Sequence, residues 1–174
     1  MNQFQTKKVT LAGLLAAIAV IGGLFSFPIF NARAAPIQHM VNLICAVFLG
    51  PWYGLTVAFI ASLLRNIFGI GTLLAFPGSM IGAFLSGYVY QKTRKIFLAS
   101  IAEIIGTGIL GGLSAWPFAV LFLGETVGNL TFYIYIFPFL LSTIIGTLIA
   151  SSGITILKRN GIIKKIEESE FNND

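Results

Sequence analysis

The sequence predicts an all-α integral membrane bundle of six transmembrane helices in a single domain, with the N- and C-termini cytoplasmic. Three observations lead there. First, 56% of the 174 residues are hydrophobic and only 10% are charged, whereas a soluble globular domain carries about 25% charged residues. Second, the apolar residues gather into six runs separated by short polar or Gly/Pro punctuation. Third, the basic residues sit at the ends of those runs, mostly on one side. The net charge of +5 therefore does not suggest nucleic acid, which asks for a basic face. Cys45 stands alone in an apolar run, so there is neither a disulfide framework nor a thiolate metal site.

A membrane-spanning helix needs about 20 mostly apolar residues. The first run, 9–27, ends at Pro28. Lys7 and Lys8 precede it and Ala32-Arg33-Ala34 follows it, the outline of a signal peptide with a small-residue cleavage site. The run is long for a signal core, so it is read as an uncleaved first helix. The second, 38–49, is short and ends at Gly50-Pro51. The third covers 52–67. The fourth, 77–90, opens at Pro77-Gly78. The fifth, 96–122, contains Pro117, and the sixth, 130–157, contains Pro138. The last two are long enough to tilt or protrude. The tail, 158–174, turns acidic from Glu167 and is predicted to fray.

Orientation follows from lysine and arginine. With the N-terminus inside, Lys7, Lys8, Lys92, Arg94, Lys95, Lys158, Arg159, Lys164 and Lys165 are cytoplasmic, nine of the eleven basic residues. Only Arg33 and Arg65 remain outside. In the first helix Ala12 and Ala16 lie four apart, as do Gly13 and Ala17, the small-xxx-small spacing that lets helix backbones approach in lipid. Such a stripe fits internal packing or a partner. Gly78, Gly82 and Ser86 form a similar stripe in the fourth helix, read as internal packing.

The stretch from Arg65 to Ser79 organises the rest. It ends one apolar run with Arg65-Asn66, breaks into glycines and opens the next run at Pro77-Gly78. Irregular backbone at membrane depth survives where protein buries it or where it lines a cavity, and an arginine there needs a partner. It reads as the rim of a pocket, with Arg65, Gly71 and Pro77 as gating positions. The alternative is a plain outer loop whose arginine faces water. Gly106-Thr107-Gly108-Ile109-Leu110-Gly111 matches G-x-G-x-x-G, but it lies in an apolar helix without the strand a dinucleotide fingerprint requires. It reads as a thinned helix face. No phosphate-binding G-x-x-x-x-G-K-[ST] loop, H-E-x-x-H or Ser-His-Asp set is recognisable, and His39 is the one histidine. No cofactor and no metal site are predicted. The polar residues in the runs are few: Gln38, His39 and Asn42 opening the second helix, Arg65 and Asn66 closing the third, Glu103 within the fifth. Trp116 and Tyr133 lie toward the outer ends of the fifth and sixth, with Glu125 and Asn129 in the loop between. For His39, Trp116 and Tyr133 the competing reading is the interfacial belt; for Glu103 it is a bond to a neighbouring helix.

Gln38-His39-Met40-Val41-Asn42, Leu49-Gly50-Pro51-Trp52, Arg65-Asn66 with Gly71-Thr72-Leu73-Leu74-Ala75-Phe76-Pro77-Gly78-Ser79, and Glu103 with Gly106-Thr107-Gly108 together resemble the substrate-binding S components of energy-coupling factor (ECF) vitamin transporters. The closest likeness is to the ThiW family, associated with uptake of a thiamine thiazole precursor. The Gly71-to-Ser79 piece is the most specific. The resemblance implies a six-helix protein of the cell membrane, multi-pass and bacterial. It would bind a vitamin precursor from outside and dock on a separate transmembrane scaffold (T) component that carries two ABC-type ATPases. It also implies a scaffold contact on the alanine-rich first helix, at Ala12, Gly13 and Ala16.

Under that resemblance the ligand is hydroxyethylthiazole, a flat ring with a hydroxyl arm. A pocket for it needs an aromatic wall and a few fixed hydrogen-bonding groups. Trp116 and Tyr133 are the expected walls, and His39, Asn42, Asn66 and Glu103 the polar contacts, with Glu103 deepest. Arg65 is expected to hold the loop rather than touch a neutral ligand. The alternatives are a binder of thiamine or another vitamin, a membrane-embedded enzyme, or an accessory structural protein. An enzyme needs paired titratable groups, and Glu103, His39 and Glu125 lie on different segments.

Overall fold

The computed structural model describes residues 3–29, 32–124 and 133–161. Within them the chain forms six helices: α1 (Gln3–Gly22), α2 (Pro36–Phe48), α3 (Pro51–Ile67), α4 (Ala75–Thr93), α5 (Ile96–Phe122) and α6 (Ile136–Arg159). A 3-10 turn, Gly23–Phe25, extends α1. A short antiparallel hairpin follows, β1 (Phe27–Ile29) and β2 (Ala32–Ala34), with Pro28 opposite Arg33. The protein is an all-α membrane bundle. The spans Gln5–Phe25, Ile96–Phe122 and Ile136–Arg159 are long and apolar enough to cross a membrane. α2, with 13 residues, rises only about 20 Å against about 30 Å of hydrocarbon.

The boundaries depart from the hydropathy runs for local reasons. α1 begins at Gln3 rather than at position 9, because glutamine and lysine are good helix formers and hydropathy marks only the apolar part. It stops before position 27, where the residue ahead of Pro28 is driven extended. Ala32-Arg33-Ala34 is a strand built into the bundle: Ala34 is fully buried, and the Ala35 N–H donates to Ser142 Oγ at 2.8 Å. α2 and α3 open on Pro36 and Pro51, a residue whose fixed φ suits the first helical position. Gly50, at φ +86°, makes the tight link between them. α4 starts at Ala75, so Pro77 sits in the first turn, where its missing N–H costs no helical bond. The first residues of the expected sixth run, Glu125, Asn129 and the acidic part of the tail lie outside the described residues.

α4 is central, packed on α2, α3 and α5, while α6 closes against α2 and α5. The middle of α5, Ile104–Gly111, is π-helical, a geometry that recurs at functional positions. Its glycines meet the glycines of α4. A Cβ on Gly106 would lie 2.8 Å from Gly82 Cα, and Gly111 stands directly against Gly78. The G-x-G-x-x-G stretch is thus a contact face that brings α5 onto α4.

α1 lies at the edge, on α2 and α3. Here the small-residue stripe divides. Ala16 is buried in an internal cluster with Leu15, Ala19, Val41, Cys45 and Val57, and Ala12 packs on its border. Gly13 faces outward, with nothing within 4 Å of an added Cβ. The expected contact set therefore splits: Ala16 is internal packing, Ala12 is partly buried at its border, and Gly13 is exposed. Ala16→Trp should overpack the α1–α2–α3 contact, at a cost of about 1–3 kcal/mol or more. Thermal unfolding of the purified protein should show a lower midpoint, and ligand binding should fall with it.

Candidate ligand-binding cleft

The hairpin strand β2, the start of α2, the end of α3, the starts of α4 and α6 and the middle of α5 converge on one cleft. Its walls include Arg33, Gln38, His39, Arg65, Ser79 and Phe139, with Thr72, Ala75, Thr107 and Ser142 completing them. Counted out to its mouth the cleft holds about 410 Å³, but only about 20 Å³ of this is wide enough for the centre of a water molecule. It is narrow, and an aromatic ring enters only as its walls part.

Below it lies a buried polar network that ties α2, α4 and α5 together. Glu103 is completely buried. Its Oε1 accepts from Asn42 Nδ2 at 2.9 Å and Thr107 Oγ at 3.2 Å, and stands 3.4 Å from His39 Nδ1. Asn42 also donates to the Ser79 carbonyl, and Thr107 lies within reach of the Gly78 carbonyl, each at 3.2 Å. Glu103 Oε2 faces Gly82, where a Cβ would lie 2.8 Å away, and has no hydrogen-bond partner. Glu103 and Asn42, both expected as ligand contacts, lie beneath the cleft and are absent from its lining, whereas Thr107 and His39 belong to both the network and the lining.

A second chain of bonds sets the wall. Gln38 Nε2 donates to Ser62 Oγ at 3.1 Å, which pairs with Ser79 Oγ at 3.1 Å. Gln38 Oε1 accepts from an Arg65 Nη. Arg65 has two roles. Its carbonyl accepts the N–H groups of Ile70 and Gly71, each at 2.9 Å, which folds the loop back. Its side chain, buried at 2% exposure, also lines the cleft. Gly71 is needed for that fold, since a Cβ there would lie 2.9 Å from Arg65 Cβ. Asn66 braces the same loop, donating to the carbonyls of Ser62 at 2.8 Å and Thr72 at 3.1 Å. Asn66 therefore positions the rim and is absent from the cleft lining.

Three expected positions fall elsewhere. Trp116 packs with Leu74, Ala115, Ala119, Tyr135 and Phe139, and Tyr133 is 56% exposed; neither lines the cleft. Pro77 turns to an apolar recess with Phe76, Met80, Ile81 and Phe84. The aromatic wall is Phe139 instead. Sequence reading also missed Ser79, Thr107 and Ser142, because hydroxyls on apolar helices commonly bond their own backbone and carry no outward signal. Thr107 had one clue, its position four residues after Glu103, on the same helix face.

A helical membrane bundle with a narrow polar cleft at one end, its titratable pair tied up in a structural network, is built to bind and move a small molecule. The family model for thiamine-precursor transporter proteins (ThiW) matches residues 9–160, and the chain belongs to that family. It is a transport protein of the membrane and not an enzyme. Comparison with curated proteins gives no match.

Proposed function

We propose that the protein is the substrate-binding S component of an ECF-type importer and that its ligand is hydroxyethylthiazole, held in the cleft between α2, α3, α4 and α6. The chain crosses the bacterial plasma membrane six times, both termini are cytoplasmic, and a separate T component with two ABC-type ATPases supplies the energy. The observation that carries this reading is the cleft. Phe139 offers a ring face, and Gln38, His39, Ser79 and Thr107 offer hydrogen-bonding groups around it, the composition a small polar heterocycle asks for. The cleft is bordered by Arg33 and Arg65, the two basic residues that the positive-inside rule leaves outside, so its mouth faces the exterior. Arg65 and Gly71 shape the loop that gates it, and ligand entry parts this loop from the hairpin. The outward face of α1 at Gly13 is the scaffold contact.

Mass spectrometry of small molecules that co-purify with the detergent-solubilised protein tests the ligand; a hydroxyethylthiazole, free or esterified at its hydroxyl arm, is the expected species, and recovery of thiamine instead would overturn the assignment. Topology is tested by single cysteines in a Cys45→Ser background. An impermeant maleimide applied to intact cells should label Thr72→Cys and leave Lys92→Cys unlabelled. The reverse pattern would invert the protein.

A further inference from the structure

The cleft has an electrostatic character that a neutral ligand leaves unused. Arg33 and Arg65 both line it. Among the described residues no carboxylate shares the lining, and none lies within ion-pair distance of Arg65. Arg65 is buried, and among the described residues its one side-chain acceptor is the neutral Gln38 and its Nε has no partner. The Gln38 amide is held in that orientation by Ser62, so the arginine is fixed by a group that neutralises none of its charge. A buried cation without a counter-charge is costly. The starts of α2, α4 and α6 also border the cleft through Ala35, Ala75 and Phe139, and helix N-termini carry positive partial charge. The carboxylate below, Glu103, is committed to Asn42, Thr107 and His39.

We infer that the cleft also selects by charge: among hydroxyethylthiazole-like rings it prefers one whose arm ends in an anion, a phosphate monoester or a carboxylate, over the neutral alcohol, with the anion bound between Arg65 and Arg33. This rests on the cleft being the ligand site. The ring lies against Phe139, and the anion supplies the counter-charge that Arg65 lacks. Arg33 suits the mouth side of that pair, since it is exposed and held only by Ser26, through Nε to Oγ at 3.1 Å and a longer bond at 3.5 Å to the carbonyl. The same field repels cations and gives an electrostatic reason for thiamine, with its permanent thiazolium charge, to bind poorly.

Calorimetric titration of the purified full-length protein with hydroxyethylthiazole, its phosphate monoester and inorganic phosphate tests this. The monoester should bind at least about tenfold more tightly than the alcohol, because charge-assisted hydrogen bonds are about twice as strong as neutral ones. Arg33→Gln, at an exposed position that folding tolerates, should shrink the ratio of the two affinities. Arg65→Lys should preserve more of the ratio than Arg65→Gln. Equal or weaker binding of the monoester, with the alcohol still bound, would overturn the charge selection while leaving the cleft as the ligand site. Inorganic phosphate binding as tightly as the monoester would overturn the assignment of ring and anion to one ligand. Failure of both thiazoles to bind would remove the site and this inference together.

Discussion

Glu103→Ala should cost the protein both its stability and its ligand. The side chain is completely buried, and its Oε1 is the acceptor on which Asn42, Thr107 and His39 converge. Removing it leaves buried donors short of a partner, at about 1–3 kcal/mol each where no substitute is found, and opens a cavity between α2, α4 and α5. Asn42 and Thr107 each have a second backbone acceptor and recover in part. The net loss should still be about 3 kcal/mol, visible as a lower unfolding midpoint in detergent. Because His39 links this network to the cleft, ligand affinity should drop at least about a hundredfold. Glu103→Gln keeps an acceptor at Oε1 and should restore most of the stability. A wild-type midpoint for Glu103→Ala would mean that the network does not hold these helices together.

Gly106→Val should be at least as damaging, by a different route. The nearest atom to a Cβ at Gly106 is Gly82 Cα, at 2.8 Å, followed by Leu85 Cδ1 at 3.1 Å and the Gly82 nitrogen at 3.2 Å. Backbone cannot rotate aside as a side chain can, so α4 and α5 must separate, and overpacking of this kind costs about 1–3 kcal/mol or more. Separation also pulls Thr107 and Glu103 away from α4. Gly13→Ala is the matching control on α1. An added methyl there meets nothing, and alanine is favoured over glycine in a helix by about 0.5–1 kcal/mol. Thermal unfolding should rank Gly13→Ala at or above wild type and Gly106→Val well below it. The opposite ranking would contradict the α4–α5 contact.

Much of the bundle was legible because lipid imposes simple rules. Apolar run length, prolines and glycine punctuation pointed to six helices, but two starts lie about six residues off: polar helix formers such as Gln3 and Lys8 carry the first past its apolar part, and the sixth begins at Ile136 because the apolar residues 133–135 before it form a turn. The hairpin of β1 and β2 was not legible: three-residue strands carry no periodicity, and Ala32-Arg33-Ala34 imitated a processing site. Gln38, His39 and Arg65 stand out in apolar runs and line the cleft, whereas Arg33, which also lines it, does not stand out, and Glu103, equally conspicuous, lies outside the lining. Their grouping was not legible. His39 on α2 and Glu103 on α5 are 64 positions apart, and it is the packing of α2 and α5 on α4 and on each other that brings them together. Trp116 and Tyr133 misled for a related reason: an aromatic near a helix end fits a pocket wall, a membrane belt or a packing contact equally well, and sequence does not say which face it occupies. The wall that the fold uses, Phe139, is one of sixteen phenylalanines and had nothing to mark it.

The most direct test of the cleft as the ligand site is to fill it without touching its hydrogen bonds. Ala75 lines the cleft through its side-chain position at the start of α4, and its methyl takes no part in the polar network. Calorimetric titration of hydroxyethylthiazole into purified wild-type protein and into Ala75→Trp, with unfolding midpoints recorded for both, gives the answer. The indole should enter the narrow space by parting its walls, reducing affinity at least about a hundredfold, with a lowered midpoint but a protein that still folds. A folded Ala75→Trp protein that binds hydroxyethylthiazole as tightly as the wild type would contradict the account.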